Sequence, residues 1–121
     1  MNLAETRRAT IETWSRAWSE PDARRRLDLL AQAAAETCTY MDPGADLAGH
    51  AAISGYMRDF QVSMPGARFV TTGFRTHHDR CVLQWEMVDG DGRLLSPGIS
   101  AGVFDEHGRL VQMTGFFDAG P

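Results

Sequence analysis

Asp42 is the residue of this chain that type and context best equip for chemistry. It ends the β-branched and aromatic run Thr37-Cys38-Thr39-Tyr40-Met41 and is followed by Pro43-Gly44. A carboxylate held against apolar surface is desolvated, which raises its affinity for a proton and makes it a better general base. An aspartate before proline is also a common way to start a turn, so both roles stand open. Tyr40 lies two residues earlier, and side chains two apart in a strand share a face. A buried tyrosine hydroxyl needs a hydrogen-bond partner, and Tyr40 could position a substrate oxygen.

Other polar clusters read as structure. His77-His78-Asp79 has the residue types of a metal or acid–base site. Neighbouring strand residues face opposite ways, however, and the cluster falls at an expected hairpin turn. His50 follows Gly49 at an expected helix start, and His107 precedes Gly108 in a turn. Asp89-Gly90-Asp91-Gly92 lacks the closing glutamate of a calcium loop and joins two expected strands, so it reads as a turn. Neither a phosphate-binding loop nor a GxSxG nucleophile motif occurs. No metal and no cofactor is expected.

The elements that must position Asp42 and Tyr40 follow from periodicity. Leu3, Ile11, Trp14 and Trp18 recur at helical spacing, and Pro21 ends that helix. Asp22 can cap a second helix carrying Leu27, Leu30, Ala31 and Ala34 as its apolar stripe and running to about Ala35. The strand Thr37–Met41 comes next, then a loop through Gly49. A third helix runs from His50 to about Ser63, with Ile53, Met57, Phe60 and Tyr56 inward, and Pro65-Gly66 ends it.

Four strands fill the rest, over 68–76, 81–88, 94–104 and 109–117. Cys81, Leu83, Trp85 and Met87 alternate with Val82, Gln84 and Glu86, the pattern of a half-buried strand. Pro97-Gly98 suggests a bend or bulge. The order α-α-β-α-β-β-β-β is an α+β arrangement. Gly73, Gly98, Gly102 and Gly115 would let the mostly antiparallel sheet curve strongly around the helices into a cone with an open apolar end, the usual form of a small-molecule site.

Bulk properties bound the function. At 121 residues the chain suits one domain, 1–121, with one core. A net charge of −4 argues against nucleic acid as a partner. Arg24-Arg25-Arg26, beside Asp22 and Asp28, reads as a solvated helix face. No stretch approaches a membrane span, and the N-terminus lacks the apolar segment of a signal peptide. Cys38 and Cys81 lie in apolar strand patterns as buried free thiols, which fits a reducing cytoplasm.

Several short motifs, in this order, carry a family likeness. They are Tyr40-Met41-Asp42-Pro43, Gly49-His50-Ala51-Ala52-Ile53, Pro65-Gly66, His77-His78-Asp79-Arg80, Trp85, Asp105-Glu106-His107-Gly108-Arg109-Leu110 and Gly115-Phe116-Phe117. Together they resemble the SnoaL-like branch of the nuclear transport factor 2-like superfamily over nearly the whole chain. The resemblance implies the cone, cystatin-like fold, which hosts isomerases, dehydratases, cyclases, epoxide hydrolases and pure binders. Ketosteroid isomerase, in the same superfamily, uses an aspartate base with an oxyanion hole made of a tyrosine and a protonated aspartate.

Asp42 matches that base in context. The oxyanion-hole positions fall on Trp14 and Ser100, neither of them an acidic donor, which sets this chain apart from steroid isomerases and weakens the cyclase comparison too. The resemblance therefore implies a small apolar molecule in the cone. Asp42 and Tyr40 would be the catalytic pair, with Trp14, Trp18, Tyr56, Phe60, Trp85, Met87, Ser100, Met113 and Phe117 around the ligand. Asp42 would move a proton next to a carbonyl in an isomerase or lyase reaction. The alternatives are a non-catalytic ligand-binding domain, or a domain that dimerises through the open sheet face bearing Val82, Gln84 and Glu86.

Overall fold

The computed structural model describes residues 2–118. Helix α1 spans Leu3–Ala17, α2 Ala23–Ala33 and α3 His50–Ser63. The strands are β1 Ala34–Asp42, β2 Ala45–Ala48, β3 Arg68–His77, β4 Arg80–Val88, β5 Leu94–Phe104 and β6 Leu110–Phe116. They form one six-stranded sheet in the order β2-β1-β6-β5-β4-β3, with β1 and β6 parallel and the other neighbours antiparallel. The α+β cone expected from the sequence is thus present. No helix among the described residues is long and apolar enough to cross a membrane.

The helices start where local chemistry satisfies their free N–H groups. The Asn2 side chain accepts from the Glu5 amide, and the Asp22 carboxylate accepts from the Arg25 amide. Helix α1 buries Arg7, Ile11, Trp14 and Ala17, with Trp18 just beyond its end, so one stripe runs from the closed end of the cone to its mouth. In α2 the buried stripe is Arg26, Leu30 and Ala33, one residue off the expected set. Leu27 is 40% exposed, Ala31 faces solvent, and Ala34 is buried as the first residue of β1 rather than as part of the helix.

Arg26 also departs from the solvated triad expected of 24–26. Its Nε donates to Ser54 Oγ at 2.8 Å and its Nη1 to the Glu20 carbonyl at 2.8 Å. A buried charge survives only with such partners, and these lie on α3 and the α1–α2 turn. Arg7, likewise buried, donates to Thr76 Oγ1 and the His78 carbonyl and lies over the Phe104 ring, tying α1 to the β3–β4 hairpin. His77 and His78 are exposed at that hairpin, and His78 has a φ of 49°.

Two further differences concern the sheet. Residues 45–48, expected as loop, form the edge strand β2, joined to β1 by the two-residue turn Pro43-Gly44 with Asp42 opposite Ala45. The irregularity expected at Pro97-Gly98 falls instead at Leu95: Trp85 pairs Gly98 and Glu86 pairs Pro97 in regular register, and Leu95 is the unpaired residue before Leu94 meets Val88. A second bulge leaves Thr72 unpaired in β3.

Candidate functional site

The open end of the cone holds a cavity of about 400 Å³, within the range of small-molecule sites. Asp42 and Tyr40 both face it, as their shared strand parity requires. Of the expected ligand neighbours, Trp14, Trp18, Tyr56, Phe60, Trp85, Met87, Ser100 and Phe117 line it. Met113 does not. It is on the concave face but 1% exposed, paired with Gly102 and Tyr40 in the closed part of the core. Strand alternation assigns a face and says nothing of depth along the cone.

Seven lining residues were not anticipated. Phe69 and Ser96 both lie opposite Met87 in the sheet, so the alternation that flagged β4 could have found them once register was known. Ser63 and Met64 follow Phe60 by one helical turn, and Asp59 and Ser15 adjoin Phe60 and Trp14. Leu83, whose place in the β4 alternation marks it as strand core, also reaches the cavity wall.

Asp42 is more polar in its surroundings than a carboxylate set against apolar surface. Tyr40 Oη donates to Oδ2 at 2.7 Å, and Tyr56 Oη lies 3.0 Å from Oδ1 and 2.9 Å from Oδ2. The Gly44 amide donates to Oδ1 at 2.8 Å, so the turn-starting role and the pocket role belong to the same side chain. Among the described residues no Lys, Arg or His forms an ion pair with Asp42.

The tyrosine rings are held in turn by α1. Trp18 makes edge contacts with Tyr40 at 5.5 Å and Tyr56 at 5.9 Å between centroids, and Trp14 lies 5.9 Å from Tyr40. Burial, then the hydrogen bond to Asp42, pushes the Tyr40 hydroxyl far above the usual tyrosine range. The same causes push Tyr56 up to about 12. Burial also pushes Cys38 and Cys81 up to about 11.

These four shifts predict alkaline behaviour. Each acid is held protonated in the folded chain, so the unfolded chain loses protons first and stability falls as pH rises. The loss begins near the thiols' ordinary 9.0 and continues through about 12 as Tyr56 ionises. The chain has only two tyrosines, so near-ultraviolet tyrosinate absorbance reports on this site alone. Little tyrosinate should form in the folded protein at pH 10, and a full tyrosinate signal there would contradict the geometry.

On the same sheet wall as Asp42, on the other side of Gly115, Trp85 Nε1 donates to Ser100 Oγ at 2.9 Å. An indole N–H can only donate, so Ser100 is fixed as acceptor on that side and its own proton is left to give. Among the described residues that proton meets no acceptor. A Cβ built on Gly115 would stand 3.4 Å from Tyr40 Oη, 3.6 Å from Asp42 Cβ and 3.6 Å from Ser100 Oγ. The absent side chain leaves the Tyr40–Asp42 pair and Ser100 facing one shared space. No group of three or more His, Cys, Asp or Glu among the described residues is arranged to hold a metal.

Comparison with known proteins agrees with this architecture. The model of the SnoaL-like domain matches residues 11–113. A protein from Agrobacterium tumefaciens C58, provisionally named an isomerase of the SnoaL-like family, is 28% identical, with a TM-score of 0.86 over 95% of this chain and 99% of its own. An NTF2-like protein of unknown function from Mesorhizobium loti is 20% identical, with a TM-score of 0.70 over 98% and 96% of the two chains. A protein from Jannaschia sp. CCS1, provisionally named a SnoaL-like polyketide cyclase, is 15% identical, with a TM-score of 0.72 over 98% and 90%. The last two likenesses establish the fold alone. No curated protein matches the sequence significantly. By the extent of the domain match, the chain belongs to the SnoaL-like family.

Proposed function

We propose that the cavity binds an apolar molecule bearing a carbonyl group, and that Asp42 takes a proton from the carbon next to that carbonyl. The observation that carries this reading is a carboxylate with no cationic partner among the described residues, facing an aromatic cavity beside a serine hydroxyl with a proton to donate. The C–H electron pair becomes the enolate double bond, and the negative charge moves to the carbonyl oxygen. Ser100 donates a hydrogen bond to that oxygen, held in line by Trp85. Asp42, now protonated, returns the proton to a different carbon, which is an isomerisation, or the enolate pair forms an α,β double bond while the group on the β-carbon departs with its bonding electrons and takes the proton from Asp42, which is an elimination. Tyr40 and Tyr56 hold the carboxylate in place throughout. The isomerase name of the Agrobacterium protein points the same way.

Deuterium exchange tests the first step without knowledge of the product. Carbonyl compounds that bind should gain deuterium at the α-carbon in heavy water. Ser100→Ala should slow that exchange about 100-fold, the low end of what one oxyanion donor is worth. A bound carbonyl compound that never exchanges would remove the proposal.

One observation favours a binding protein without turnover: Tyr40, Tyr56 and the Gly44 amide already donate to the Asp42 oxygens, which leaves about one of the four lone-pair sites of the carboxylate for a substrate proton. Under that reading ligands are retained unchanged at any pH. For the outer sheet face we propose a two-fold homodimer contact. Val70, Ile99 and Phe116 are 41%, 40% and 56% exposed there, interspersed with Gln84 and Glu86. Light scattering should give a dimer mass that Phe116→Asp converts to monomer, and a wild-type monomer at micromolar concentration would exclude it. The two buried free thiols support a reducing, cytoplasmic setting.

A further inference from the structure

The charges on the cavity wall are one-sided. Two carboxylates, Asp42 and Asp59, reach it, and among the described residues no Arg or His does. The chain has twelve arginines and no lysine; none of the arginines lines the cavity, and Arg58 reaches its rim only through Asp59. Asp59 is exposed and ion-paired with Arg58 at 2.9 Å, so solvent and its partner screen it. Asp42 has no such partner, and its field acts across a half-enclosed apolar space where charges are weakly screened.

The rest of the wall is a continuous arc of aromatic rings. Phe60 stacks on Phe69 with centroids 5.1 Å apart, Phe69 meets Trp85 edge-on at 5.1 Å, and Trp85 meets Phe117 at 6.0 Å. All four rings are only partly buried, so they retain surface open to a ligand. Aromatic faces attract organic cations, and tryptophan does so best. A neutral hydrocarbon wall would serve a neutral ligand equally well. The combination of this arc with an uncompensated carboxylate is what selects charge.

We infer that the ligand of this cavity is an organic cation, an ammonium group on an apolar skeleton. The ammonium seats against the Phe60–Phe69–Trp85–Phe117 arc, and the reacting end lies at Asp42 and Ser100. This rests on the reading of the cavity as the substrate site and adds the charge of the substrate. It also fits the proposed chemistry, because a fixed positive charge in the substrate stabilises the negative charge that moves from Asp42 onto the enolate oxygen.

Three phenols of one shape and different charge test it: (4-hydroxyphenyl)trimethylammonium, 4-tert-butylphenol and 4-hydroxybenzenesulfonate. Calorimetric titration at low salt should give the cation at least about tenfold tighter affinity than the neutral isostere, equivalent to about 1.4 kcal/mol, and no binding of the anion. Asp42→Asn should bring cation and neutral isostere within about twofold of each other. Phe117→Leu, which keeps an apolar contact and loses a ring face, should weaken the cation about threefold and leave the neutral phenol unchanged. Equal or tighter binding of 4-tert-butylphenol, or binding of none of the three, overturns the inference. Deuterium exchange into carbonyl compounds decides the role of Asp42 as base independently of that result.

Discussion

Asp42→Asn is expected to lower proton-transfer turnover by about 100- to 10,000-fold, the range over which a positioned general base contributes, while the chain stays folded. Asparagine has the same shape and keeps one acceptor oxygen for the Gly44 amide and for Tyr56. Its amide nitrogen then faces Tyr40 and Tyr56, whose hydroxyl oxygens can accept as well as donate. Little is therefore left unsatisfied, and the melting temperature should move by only a few degrees. The tyrosines report the change directly. With the negative charge gone, Tyr56 should ionise below its shifted value of about 12, and Tyr40 should fall too. A variant that exchanges α-protons at the wild-type rate would show that another group is the base. A variant that only loses ligand affinity, against a wild type that never turns over, would favour the binding protein.

Gly98→Ala should clash more severely than a methyl group at any other described glycine. Gly98 faces inward, opposite Trp85. A Cβ there would stand 2.1 Å from Trp85 Cζ2, 2.2 Å from Cη2 and 2.6 Å from Cε2. Those atoms belong to a rigid ring, and the ring is pinned by Phe69 at one edge, Phe117 at another and the hydrogen bond to Ser100. Either the strand or the indole must shift. Overpacking of this kind costs about 1–3 kcal/mol, and an indole that moves releases Ser100 and breaks the aromatic arc. Urea unfolding should show the loss of stability, and ligand affinity should fall with it. Trp85→Leu in the same chain should restore the stability but not the affinity. Unchanged unfolding and binding in Gly98→Ala would mean that Trp85 is free to move.

The sequence revealed most where a signal is local. The Asp22 cap, the third helix from His50 to Ser63 and the alternation of Cys81, Leu83, Trp85 and Met87 depend on near neighbours, and the structure keeps them. Arg26 carries no local sign of its burial, because its partners, Ser54 and the Glu20 carbonyl, become neighbours only after the chain folds. Residues 45–48 carry one large apolar side chain, Leu47, which is too little pattern to announce a strand; pairing with β1 makes it one. Met113 has the right parity for the cavity and the wrong depth. Within the site, Asp42 and Tyr40 were legible from spacing of two. The bond between them and the closure of Tyr56 from α3 onto the same carboxylate were not.

Asp42 is both the last residue of β1 and the acceptor for the Gly44 amide in the turn that starts β2. That edge strand is four residues long and has a partner on one side only. Short edge elements open at far lower free energy than the core. The reactive carboxylate is therefore only as durable as its weakest hairpin. On heating, the site should come apart while the helices and the central strands still hold, and anything that grips Asp42 from inside the cone also clamps the rim shut.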